Sequence, residues 1–182
     1  GHTYPMVGSC FQTVDPAHPN ALTPEEEEVV GELIYSFQNS EKMKRHMDFL
    51  LSKGSNYLIY NKHLLFHACL PLEDNGDFMA FQLGGQSFQG RALLDFFDDK
   101  IQEAGQDKNS YTDLATDLIW YLWCGPKSPL FGKSKMTTFE RYFIEDKATH
   151  KEEKNAYFKL RDRKEIVDQV LKEFGLEDDI SA

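Results

Sequence analysis

A chain of 182 residues can form one domain with a sizeable core, and 41% hydrophobic with 13% aromatic residues marks it as globular rather than disordered. A net charge of −10 argues against a nucleic-acid or anionic-membrane surface, since both reward clustered Lys and Arg. Cys10, Cys69 and Cys124 are widely spaced and odd in number, and no apolar stretch reaches the length of a membrane span, so a reducing, cytoplasmic setting is expected. The start, Gly1-His2-Thr3-Tyr4-Pro5, lacks an initiator Met. It reads as a purification remnant or as a cut from a longer protein.

Residues 1–22, with Pro5, Pro16 and Pro19, are expected to form an extended arm, and 23–182 a single α+β unit. Thr23, Pro24 and the glutamates from Glu25 to Glu28 predict a capped helix running to about Gln38, its acids on a solvated face. Asn39 or Ser40 caps a second helix, whose stripe of Met43, Met47, Leu50 and Leu51 is expected to face the core before Gly54 stops it.

Tyr57 to Pro71 predicts a hairpin across Asn61-Lys62, with His67 at the end of its second run. A turn over Glu73 to Gly76 precedes a second hairpin, Phe78 to Leu83 and Gln86 to Phe88 across Gly84-Gly85. A small mixed or antiparallel sheet ringed by helices follows from these signals. Leu93, Leu94, Phe97 and Ile101 mark a helix over Arg91 to Ala104. The next runs from about Ser110 or Thr112 to Trp123 and is apolar nearly all round, which predicts burial on more than one side. A cationic loop from Cys124 to Lys135 leads to a short helix over Phe139 to Phe143. Ile166, Val167, Val170, Leu171 and Phe174 predict the inward face of a last helix, and 177–182 a frayed end.

Two places could carry chemistry. His67 closes a strand where a side chain can face a site, and neutral imidazole serves as metal ligand or as general acid or base; the alternative is a hydrogen-bonded core histidine. Lys133, Lys135 and Arg141 could clamp a phosphate, or simply form a solvated basic loop. Cys69 has no neighbouring base and reads as a small core residue. The phosphate-binding Gly-x-x-x-x-Gly-Lys loop, the Gly-x-Gly-x-x-Gly turn, the Gly-x-Ser-x-Gly elbow and paired Cys-x-x-Cys are all missing from the sequence.

Several strings, taken together, resemble the bacterial class III fructose-1,6-bisphosphatases. They are Leu64-Leu65-Phe66-His67-Ala68-Cys69-Leu70-Pro71, Phe88-x-Gly90-Arg91-x-Leu93-Leu94-Asp95, Asp117-Leu118-Ile119-Trp120-Tyr121-Leu122-Trp123-x-Gly125, Ser128-Pro129-Leu130-Phe131-Gly132-Lys133 and Met136-Thr137-Thr138-Phe139-Glu140-Arg141-Tyr142-Phe143-Ile144. The resemblance implies an internal part of a calcineurin-like metallophosphoesterase fold, whose β-sandwich holds two divalent ions, expected to be manganese. It implies hydrolysis of fructose 1,6-bisphosphate to fructose 6-phosphate and phosphate, as in gluconeogenesis, by a water that the ions activate. The family's Asp-x-His, Gly-Asp-x-x-Asp-Arg, Gly-Asn-His-Asp/Glu and Gly-His-x-Pro motifs do not occur here, so the resemblance implies an internal fragment that is inactive alone and holds no metal stably. It makes His67 a metal ligand, matching the histidine of a His-Gly-Gly-Leu-Ser-Pro-like string of the wider superfamily, with Ala68 at the usual Gly. Exposed sheet edges in such a fragment could pair two copies into a homo-oligomer. A non-catalytic binding or regulatory module, in which the same strings serve only packing, is the rival reading.

Overall fold

The structure is a computed structural model that describes residues 2–8, 10–106 and 113–176. The chain divides into two compact units, Gly1–Gly54 with Thr138–His150, and Ser55–Thr137 with Lys151–Ala182. This division differs from the boundary expected at residue 22. The arm groups with the first helices, and the chain crosses between the two units three times, at residues 54/55, 137/138 and 150/151.

In the first unit, α1 (Pro24–Gln38) begins with the predicted cap: Thr23 Oγ1 accepts from Glu26 N, and the Glu26 carboxylate accepts from Thr23 N. Ser40 caps α2 (Glu41–Lys53) through Met43 N. The arm is held by Thr13, whose hydroxyl donates to Glu26 at 2.6 Å, and by Val7 N, which donates to Phe143 O at 2.9 Å. No described residue of this unit is buried. The stripe expected to face a core is therefore open: Met43, Met47 and Leu50 are 38, 47 and 56% exposed. Helical spacing identifies an apolar face, but it carries no information about what covers that face.

The second unit contains two antiparallel hairpins that form separate two-stranded sheets: β1 (Tyr57–Tyr60) with β2 (His63–Phe66), and β3 (Phe81–Leu83) with β4 (Gln86–Phe88). Both turns fall where the sequence predicts them. Asn61 and Lys62 have φ of 47° and 66°, and Gly84 and Gly85 have 57° and 80°, the paired positive values that suit the right-handed twist of the strands.

Helix α3 (Gly90–Gln106) is the central element, because its two apolar rows serve different clusters. Leu93 and Phe97 pack with Phe81 and with Leu118 and Leu122 of α4 (Leu114–Cys124). Leu94 packs instead with Leu70 and with Val170 and Phe174 near the end of the chain. The start of α3 meets α7 (Lys164–Glu173), whose Glu173 carboxylate accepts from Arg91 N at 2.9 Å. Asp98, one turn beyond Leu94, accepts from Ser55 Oγ and from the backbone and side chain of buried Asn56, which ties the root of β1 to the helix. Helix α4 is capped by Asp113; the expected start at 110 or 112 lies outside the described residues, as does the expected frayed end at 177–182. The helix buries one face only, because Trp120 and Trp123, expected to be covered, are 70% and 68% exposed.

Candidate functional site

The run after β2 is the most deeply buried stretch of backbone near the candidate residues. Cys69, Leu70 and Leu72 are fully enclosed, with Leu70 in the cluster against α3 and α7 and Leu72 packed on Ala156, on Leu160 of the short α6 (Tyr157–Leu160) and on Ile166. Asn155 fixes this run from the side: its Oδ1 accepts from Leu72 N at 3.0 Å and its Nδ2 donates to Leu72 O at 3.2 Å. A buried strand end anchored in this way holds whatever precedes it in one place. What precedes it is His67, on the bend after β2 and exposed, so it is not a core histidine. Ala68 follows with φ of 51°, in the left-handed region that glycine enters freely and alanine at a cost.

The cationic loop is fastened to the same run. Cys69 N donates to Pro129 O at 3.1 Å, and Gly132 sits so close that an added Cβ would lie 3.2 Å from Cys69 Sγ and 2.9 Å from the Phe158 ring. Gly132 has φ of 63°, so the tight approach and the backbone shape both require its missing side chain. Ser128 builds the turn: its buried hydroxyl donates to Leu122 O at the end of α4 and accepts from Leu130 N and Phe131 N. Lys133 thus begins next to a glycine packed on Cys69, two residues from His67. One strand end and one loop, both rooted in the core, meet at Cys69, Pro129 and Gly132.

Lys133 is not idle there. Its Nζ donates to Glu152 at 2.7 Å, and the same carboxylate accepts from Thr137 N at 3.1 Å and from Thr137 Oγ1 at 3.0 Å. These donors, with Lys133 the largest influence, hold the Glu152 carboxyl down to about 2. Glu152 therefore stays ionised and clasps the loop. Lys133 and Lys154 also face each other as a backbone bridge, and Lys154 Nζ lies 5.6 Å over the Phe158 ring. Lys135 is exposed on the same loop. Arg141 belongs to the first unit, in α5 (Thr138–Phe143), where it donates to His150 O at 3.0 Å.

Sequence reasoning passed over Glu152 and Lys154. Their stretch, Lys151-Glu152-Glu153-Lys154, mixes both signs and reads as an ordinary solvated surface. Cys69, in contrast, behaves as expected: burial pushes its thiol up to about 12, which removes it as a nucleophile. As for a metal, His67 offers one imidazole, but among the described residues no group of three or more His, Cys, Asp or Glu side chains is placed to hold an ion.

Compared with known proteins, the whole chain, residues 1–182, matches the family model described as Firmicute fructose-1,6-bisphosphatase. Among curated proteins it is 56% identical over 171 residues to a fructose-1,6-bisphosphatase class 3 of Streptococcus sanguinis, covering 94% of this chain and 27% of that protein. It is 54% identical to the protein of the same name from Staphylococcus haemolyticus and 52% identical to that of Staphylococcus aureus, each covering 98% of this chain and 27% of the relative. The chain thus spans about a quarter of the length of the curated relatives it matches. No solved structure matches it.

Proposed function

The chain belongs to the Firmicute fructose-1,6-bisphosphatase family, and from that membership we propose that it is a segment of a longer phosphatase that hydrolyses fructose 1,6-bisphosphate to fructose 6-phosphate and phosphate. The observation that carries this reading is the 56% identity to a protein of that name over nearly all of this chain. In this reading the enzyme works in gluconeogenesis in the cytoplasm, has a calcineurin-like metallophosphoesterase fold, and uses manganese or another divalent ion.

His67 supplies one ligand to that ion, and the remaining ligands come from the rest of the longer chain. The shape of the chain around His67 supports its role: an exposed imidazole on an anchored strand end is positioned without being consumed by packing. Lys133 and Lys135 serve the anionic substrate from the adjoining loop. Lys133 is held by Glu152, which fixes its position at the expense of part of its charge. Arg141 acts with them only if the two units meet in the full enzyme. Alone, the segment has too few ligands to be active.

The test is phosphate release from fructose 1,6-bisphosphate with manganese, run on the longer enzyme and on this segment. Turnover by the longer enzyme alone, reduced at least about a hundredfold by His67→Ala, is the expected result, the loss being of the size seen when a group of the metal environment is removed. Activity in neither protein, or an unaffected His67→Ala enzyme, overturns the assignment. The binding-module reading, in which the exposed apolar faces are an interaction surface, then takes its place.

A further inference from the structure

Helices α1 and α2 have firm ends and no core. Val29, Val30, Leu33, Ile34 and Phe37 recur at helical spacing along one side of α1, and all are 39–61% exposed. Met43, Met47 and Leu50 do the same on α2. A helix whose stripe stays in water gains almost nothing from its amphipathic pattern, because such helices draw their stability chiefly from packing. Both stripes are therefore surfaces made to be covered.

We propose that α1 and α2 dock against a segment of the longer chain lying outside residues 1–182, apolar along its middle and carrying carboxylates where it borders α2. This rests on the reading of the chain as part of a longer phosphatase. The charges around each stripe define the partner. At 100° per residue, Glu25, Glu28 and Glu32 fall on the side of α1 opposite its apolar face, so they remain in solvent when the stripe is covered. On α2, Lys42 and Lys53 fall along one flank of the stripe and Lys44 along the other, where a partner must meet them. Acidic edges on the partner would satisfy that rim.

A second copy of this chain fits poorly. A symmetric α2-to-α2 contact sets lysines against lysines, and on α1 Glu25, Glu28 and Glu32 face away from any stripe-to-stripe contact while the Glu26 carboxylate, on the stripe side, is taken up by Thr13 and the Thr23 amide, which leaves Glu27 alone at the stripe's edge to meet lysines of a second copy. The relatives have ample material for the role, since the chain corresponds to only 27% of their length.

The experiment places the photo-crosslinking residue benzoylphenylalanine at Leu33, and separately at Met47, in the longer enzyme, and maps the linked peptides by mass spectrometry. Both positions are exposed in this structure, so the larger side chain is tolerated here. Cross-links from both to peptides outside residues 1–182, within a single chain, are expected. Lys44→Glu should cut the yield from Met47 by about tenfold, as a charge attraction turns into a repulsion. Links to residues 55–137 or 151–182, links that appear only at dimer mass, or no links at all each overturn the proposal. Phosphatase activity, measured on the same preparations, reports separately on the functional reading: an active enzyme without these cross-links refutes the docking alone, and a cross-linked but inactive one refutes the function alone.

Discussion

Ala68 and Glu152 are the two residues whose local chemistry most directly shapes the candidate site. With φ of 51°, Ala68 carries a strain of about 1–2 kcal/mol that glycine would not, partly offset by glycine's greater loss of chain entropy of about 0.5–1 kcal/mol. Ala68→Gly is therefore expected to stabilise the chain by up to about 1 kcal/mol, read as a rise in the urea midpoint; destabilisation would mean that the bend is not held in this shape. Glu152 gives a pH signature. Its carboxyl lies near 2 when folded against an ordinary 4.5, so its contribution is fully present above pH 4.5 and is lost as pH falls toward 2. The protection factor of the Thr137 amide, which donates to Glu152, should fall across that window. In Glu152→Gln this dependence should vanish.

At the scale of elements, α4 carries both tryptophans of the chain, Trp120 and Trp123, and exposes both. Intrinsic fluorescence of this segment should therefore show the red-shifted emission of indole in water and be readily quenched by iodide. An emission already blue-shifted would show that the face is covered within the segment. This helix also marks the limit of what the sequence makes legible. Caps and turns are local, so Thr23-Pro24-x-Glu26, Asn61-Lys62 and Gly84-Gly85 could be read directly, since each fixes its neighbours' hydrogen bonds or φ values. The apolar ring of α4 and the stripe of α2 were legible as faces, but their covering was not, because it depends on elements distant in the chain. The clasp of Lys133 by Glu152, across 19 residues, escaped for the same reason. His67 and the lysine loop could be singled out one by one; that Cys69, Pro129 and Gly132 bring their backbones together required the fold.

At the scale of the whole molecule, the second unit is closed by a few contacts between its two sequence-distant parts. Asn155 accepts from Leu72 N and Tyr157 N, donates to Leu72 O, and gives its own N–H to Gly132 O. Asn155→Ala should cost about 1–3 kcal/mol, because it strands the amide of a fully buried residue; the loss would appear as a lowered melting temperature. Asn155→Asp, which keeps the acceptor, should cost less. Equal losses in both would shift the weight to the donated bond.

The same closure sets a timetable for synthesis. The partners Leu72 and Asn155 are 83 residues apart, Arg91 and Glu173 are 82 apart, and the cluster around Leu70 waits for Val170, Phe174 and Leu176. A ribosome adding roughly 5–20 residues per second leaves the hairpins and α3 without their floor for several seconds. During that interval Leu70, Leu94 and the edges of the hairpins are open to other chains, so this part of the nascent protein is most in need of a chaperone just before α7 emerges.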